Sequence, residues 1–201
     1  MPQRSTATAP PELRVMIVDG DAERSRNLRG ALTLAGYHVV AELKESLALP
    51  DAVKGLKPHI VIVAADSPDR DTLEHISVTT RDAPRPVVMF TQDGAGESIR
   101  AAVRAGVSAY VVDGLAPERI RSILDVACAR FEAHQELTGR LAESEHQLAE
   151  RKRVEKAKGL LMQKRGLSEE EAFREMRDLA MRTGKKLGEV AETLIAAAHL
   201  L

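Results

Sequence analysis

The sequence predicts an α/β domain with a parallel sheet, followed by an all-α segment. Three observations lead there. Five short apolar runs alternate with helix-like stretches over the first 131 residues. Each run is nearly continuous in Val, Ile, Leu, Ala and Met, as strands buried on both faces require. Beyond that point no such run recurs, and the apolar residues fall at helical spacing.

The elements follow in order. Residues 1–12, MPQRSTATAPPE, read as a disordered tail. Residues 13–18 are the first strand, ending in Asp19-Gly20-Asp21. Leu28, Leu32 and Ala35 mark a helix over 22–35, which Gly36 stops. Residues 38–42 are the second strand, and 46–56 a helix. Pro58 precedes HIVIVAA at 59–65, the most apolar strand, and 71–79 is helical. PVVMFT at 86–91 is the fourth strand. A helix over 98–105 ends at Gly106, 109–112 is the fifth strand, and a helix begins at Pro117. Five strands alternating with helices give the doubly wound, flavodoxin-like arrangement, whose chemistry lies at the carboxyl ends of the strands.

From 118 to 164 there is no proline, and glycine occurs only at 139 and 159. Phe131, Leu137, Leu141 and Leu148 follow a mediocre heptad over a helical linker at 131–150. This seam could pair with a second copy or pack on its own domain. Gly166 ends the long helix. Ser168 with Glu171 forms a capping box for a helix over 169–183. That helix sets Ala172, Phe173, Met176, Leu179 and Ala180 on one face, and Met162, Phe173 and Met176 read as bundle core. Gly184 stops it. Leu187, Val190, Ala191, Leu194, Ile195 and Ala198 line the last helix, completing a small three-helix bundle.

Composition narrows the function. Aromatics are 2% and tryptophan is absent, which argues against a platform stacking many bases. One cysteine, Cys128, excludes an internal disulfide and a cysteine-based zinc site. There is no apolar signal segment and no run long enough to span a membrane, so a cytoplasmic protein is expected. No phosphate loop, metal cluster or nucleophile–base pair stands in motif context, and the six histidines are scattered, so an enzyme is not expected. No cofactor or small-molecule substrate is implied. Charge is uneven. Residues 1–150 carry 17 Lys/Arg against 22 Asp/Glu, whereas 151–186 carry 12 against 6. A basic band behind an acidic front suits either a solvated helix face or a polyanion.

The strings VMIVDGD, PHIVIVAADSP, VVMFT and AGVSAYVV make residues 13–130 resemble a response-regulator receiver domain. In active receivers an acidic pair after the first strand holds magnesium, an Asp on the third accepts a phosphoryl group, and a hydroxyl and a Lys contact it. The resemblance places Asp19 on the first acid, Gly20 on the second, Thr91 on the hydroxyl and Tyr110 on the switch aromatic. Ala64 stands at the phosphoacceptor position, Asp113 where Lys is expected and Gly114 where Pro usually follows. An alanine accepts no phosphoryl group, and a carboxylate repels one. The expectation is a pseudo-receiver, with Asp21 and Asp66 as loop acids: either turn residues or remnants of an ion site.

AKGLLM, GLSEEEAF, LAMRTGKKL and VAETLI make residues 141–201 resemble the ANTAR domain, an RNA-binding antiterminator module overlapping the long helix. With DSPDRDTLEHIS, RPVVMFTQD and AGVSAYVVDGL, the whole chain resembles the NasT-like nitrate-assimilation antiterminators. That resemblance implies a leader mRNA with two hairpins, each loop presenting unpaired purines. It also implies a homodimer holding both hairpins and control by a NasS-like nitrate/nitrite sensor protein. Lys156, Lys158, Lys164, Arg165, Arg182, Lys185 and Lys186 are then the candidate RNA contacts. The alternatives are a phosphorylation-switched regulator using Asp66 and a DNA-binding regulator with a recognition helix.

Overall fold

The computed structural model describes residues 13–113 and 117–198; the expected tail at 1–12, Gly114 and the last three residues lie outside them. Two compact units divide the chain, 1–134 and 135–201.

The first unit alternates β1 (Arg14–Asp19), α1 (Ala22–Leu34), β2 (His38–Leu43), α2 (Leu49–Leu56), β3 (Ile60–Ala64), α3 (Arg70–Asp82), β4 (Val87–Thr91), α4 (Gly96–Arg104) and β5 (Ala109–Val112), then enters α5 (Pro117–Arg165). All neighbours pair in parallel, in the order β2-β1-β3-β4-β5. This is the predicted flavodoxin-like order. Every residue of β3 and β4 is buried. Alternate residues serve opposite faces, as the strand period demands. Val15, Ile17, Ile60, Ile62, Val88 and Phe90 pack with α1 and the start of α5. Met16, Val18, Val61, Val63, Val87 and Met89 pack with α2, α3 and α4. The stretch 46–56, predicted as one helix, divides into a 3-10 turn, Ser46–Ala48, and α2, with Pro50 in the first turn of α2. Proline is tolerated there because that turn's N–H groups have no partner within the helix.

In the second unit the last turns of α5 meet α6 (Glu169–Thr183) and α7 (Leu187–Ala198). The core is Ala157, Leu161, Ala172, Met176, Val190 and Ala191, flanked by Val154, Leu167, Leu179, Ala180, Leu187, Leu194 and Ile195. Three fully buried alanines, one per helix, let the backbones approach closely. The helix stops fall on Gly166 and Gly184, whose φ of +67° and +65° a side chain rarely adopts. No helix among the described residues is long and apolar enough to cross a membrane.

The capping box of α6 is formed: Ser168 Oγ accepts from the Glu171 N–H, and the Glu171 carboxylate accepts from the Ser168 N–H at 2.9 Å. These bonds hold the Glu171 carboxyl below its ordinary range. Ser168→Ala should lower stability by about 1 kcal/mol at neutral pH, the ordinary cost of losing a serine cap. Because the folded pKa of Glu171 is depressed, its own contribution is complete above the unfolded value and lost as pH falls through the folded one. Ser168→Ala also removes the hydroxyl's bond to that carboxylate, so the gap between the melts should narrow in acid but persist, because the bond from the Glu171 N–H to Ser168 Oγ does not titrate; equal melts at neutral pH would show that the cap contributes nothing.

Candidate functional site

The parallel register lines up the strand ends. Asp19 pairs with Ala64, Ala64 with Phe90, and Thr91 with Val112. The carboxyl edge of the sheet thus gathers Asp19, Ala64 and Thr91. Ala64 is 4% exposed and ends β3 with a methyl group. Asp19 is buried, and one of its oxygens accepts from the Asp21 N–H at 2.9 Å. Asp21 is the N-cap of α1. Its Oδ1 accepts from the N–H groups of Glu23 and Arg24 at 2.8 and 2.9 Å, which lowers its pKa. Thr91 Oγ1 donates to the Asp66 carbonyl at 2.9 Å and accepts from the Asp93 N–H. Tyr110 Oη donates to the Asp93 carbonyl at 2.8 Å. Asp113 is exposed, with φ +52°, and its N–H donates to the Thr91 carbonyl.

The residue that organises this edge is one the sequence reading passed over. Arg24, in the first turn of α1, reaches back to the sheet. Its Nη2 lies 2.8 Å and its Nε 3.0 Å from the two oxygens of Asp19, and its Nη1 pairs with Asp66. These bonds raise the guanidinium pKa further above its ordinary value. A permanent cation therefore lies against the acids that remain. The residues present do not fit a divalent ion. The buried carboxylate already faces a guanidinium, Gly20 offers no ligand atom in its side chain, and Asp21 is engaged as a helix cap. The signal was available in the spacing: an arginine three residues beyond a capping Asp and five beyond a strand-end Asp.

In the second unit the expected basic residues separate into two groups. Lys158 is 8% exposed, and its Nζ donates to Glu169 at 2.7 Å and meets Glu155 at 2.9 Å. Arg165 pairs with Glu175, and Lys164 donates to the Ala198 carbonyl at 3.2 Å. By contrast Lys156, Arg182, Lys185 and Lys186 are exposed, and no ion pair holds their side chains among the described residues, although the Lys186 backbone N–H donates to the Glu189 carboxylate at 2.9 Å. Arg182 ends α6 and the lysine pair forms the turn into α7.

The leucines of the expected seam are exposed: Leu137 by 64%, Leu141 by 60% and Leu148 by 54%, while Phe131 is half-buried. Two expectations about the bundle core fail. Met176 is fully buried, but Phe173 and Met162 are 41% and 38% exposed. On α6, Ala172 and Met176 are the residues directed into the core, and Phe173 follows Ala172 by one position. A step of one residue turns about 100° around a helix, which carries the ring to the edge of the apolar face.

Asp19 carries the sharpest energetic consequence. Arg24→Met removes the partner of a buried carboxylate and should cost about 3 kcal/mol in denaturant unfolding. Asp19→Asn in the Arg24→Met background should recover much of it, giving a large coupling in the double-mutant cycle. Additive losses would mean that the two residues act separately.

Residues 142–195 match the ANTAR domain. Across 90% of this chain and 89% of the relative, the sequence is 29% identical to the transcriptional regulatory protein PdtaR of Mycobacterium tuberculosis. A stretch of 73 residues is 40% identical to the nitrate regulatory protein of Klebsiella oxytoca, covering 35% of this chain and 18% of that one. In fold, the chain is similar to the signal receiver domain of the response regulator NarL from Mycobacterium tuberculosis. The TM-score is 0.53 at 19% identity, over 59% of this chain and 98% of that structure. A pilus assembly-related protein from Burkholderia pseudomallei gives 0.54 at 22% identity, over 59% and 91%. The chain therefore combines a receiver-fold α/β domain with a C-terminal ANTAR domain.

Proposed function

We propose that this protein is an RNA-binding transcription antiterminator, a regulator and not an enzyme. The observation that carries the reading is the ANTAR match at 142–195, which falls on a three-helix unit with unpaired bases at one of its turns. The ANTAR domain would hold paired hairpins in a nascent leader RNA and so keep a terminator from forming. Lys156, Arg182, Lys185 and Lys186 are free to meet phosphates; Lys158, Lys164 and Arg165 first have to leave protein partners. The division at 13–130, 131–150 and 141–201 follows the same reading, with Phe131, Leu137, Leu141 and Leu148 as the seam on which two copies pair. Exposed leucines at near-heptad spacing support that pairing. The likeness to a nitrate regulatory protein supports a role in nitrate or nitrite assimilation in the cytoplasm.

Control by a sensor-protein partner of the NasS type, and not by phosphorylation, completes the reading. Ala64 offers no oxygen for a phosphoryl group. The Arg24 guanidinium pairs with both Asp19 and Asp66, and Asp66 is the alternative acceptor. Regulation then has to arrive by docking.

Two outcomes are expected. Lys185→Ala with Lys186→Ala should melt like the parent, since both side chains are exposed. It should bind a two-hairpin leader RNA more weakly, and a salt series should show a slope reduced by about one for each phosphate contact removed. Parental affinity at every salt concentration would return these lysines to the solvated surface. Acetyl phosphate with magnesium should leave the intact mass of the protein unchanged; stoichiometric addition of a phosphoryl group would restore the phosphorylation-switched alternative.

A further inference from the structure

The outward face of α6 carries a groove that the basic turns do not account for. It is lined by Glu170, Phe173, Arg174, Arg177, Asp178 and Met181. Phe173, Arg177 and Met181 stand at successive intervals of four, so the ring, a guanidinium and a thioether follow one another along the helix. Phe173 is 41% and Met181 65% exposed, although Ala172 beside the ring and Met176 between the two are fully buried. No close ion pair holds Arg174 or Arg177 among the described residues, although the Arg174 charge helps to lower the Glu171 pKa. The acids of α6 are differently placed: Glu169 is taken by Lys158, Glu171 by the capping box and Glu175 by Arg165. Ion pairs thus neutralise Glu169 and Glu175, two of the helix's five acids, while Glu170 and Asp178 stay in the groove beside the arginines.

Resting on the RNA-binding reading above, we infer that this face is a stacking site for one unpaired RNA base. Phe173 is the platform, Met181 closes the far side, and Arg174 and Arg177 meet the flanking phosphates. Glu170 and Asp178 offer carboxylate oxygens to base N–H donors. Sequence-reading proteins take unpaired bases by this combination of an aromatic ring, guanidinium groups and hydrogen-bonding edges. A second copy of the chain fits the face less well. A stable interface buries about 800 Å² per partner around an apolar centre, and here the apolar side chains are one ring and one thioether separated by guanidiniums. A single base needs only one face of the ring.

The probe is a pool of synthetic two-hairpin RNAs with randomised loops, from which the full-length protein selects a binder. That binder is then remade with a fluorescent adenine analogue in the loop. Phe173→Leu should weaken binding on the order of tenfold and abolish the quenching of the analogue, whereas Phe173→Trp should retain both. Binding to the same stems closed without a loop should not change. Arg177→Gln, at an exposed position, should melt normally and flatten the salt dependence by about one. A parent that selects nothing from the pool overturns the RNA-binding reading, and this inference with it. A parent that binds while Phe173→Leu keeps its affinity and quenching overturns the stacking site alone. Conversion of a dimer to a monomer by Phe173→Leu, seen by light scattering, would assign the face to a second copy.

Discussion

A parallel sheet buried on both faces has no tolerance for polar side chains along its length, and that constraint governs the first unit. β3 is apolar, β4 is apolar up to Thr91 at its end, and both are buried throughout. The strands can place a polar side chain only where they end. Parallel pairing sends all those ends to the same edge, so Asp19, Ala64 and Thr91 become neighbours whatever chemistry they hold. The edge is a consequence of burial; what it does depends on which side chains happen to end the strands. Here they leave one buried carboxylate, and an unpaired buried charge is costly. Arg24 resolves that cost from the first turn of α1. The guanidinium that stabilises the edge also occupies the buried carboxylate that a divalent ion would need.

The second unit meets a different constraint. With almost no aromatic residues available, its helices bury little volume each, and they compensate by approaching closely on alanine. Ala157, Ala172 and Ala191 are fully buried, and Met176 fills the remaining space. A core of small residues occupies a narrow stripe of each helix. Larger apolar residues next to that stripe are then left partly outside it. Phe173 and Met162 are exposed for this geometric reason, and the ring becomes available to something other than the protein.

The fold was legible because periodicity and punctuation report on burial, and burial decides these elements. Five apolar runs gave five strands, and Ser168, Gly166 and Gly184 gave the limits of α6. Where sequence reasoning failed, it lacked information on direction. Spacing of three and four places Phe173 on an apolar face without saying whether it lies at the centre or the rim. The heptad around Leu137, Leu141 and Leu148 marks a leucine row and not what covers it. At the sheet edge, alignment with active receivers directed attention to positions that usually carry function. Arg24 is not such a position, and only the path of its side chain from α1 to Asp19 shows what it does.

Net charge misleads in the same way. The band 151–186 carries twice as many bases as acids, which suggests that its bases form one polyanion surface. The structure divides them. Lys158 and Arg165 hold the helices to each other through Glu169 and Glu175, and Arg153 ties α5 to Glu192 of α7. These pairs cross between elements and offset charge inside the unit. The cations left over fall in two places: Arg151, Lys152, Lys156 and Lys164 on α5, and Arg174, Arg177 and Arg182 on α6, which leads into Lys185-Lys186. An interhelical ion pair that satisfies one cation also removes an acid that would repel phosphate from the neighbouring surface. Pairing inside the bundle therefore decides which cations face outward, and on α6 they stand beside an exposed aromatic ring.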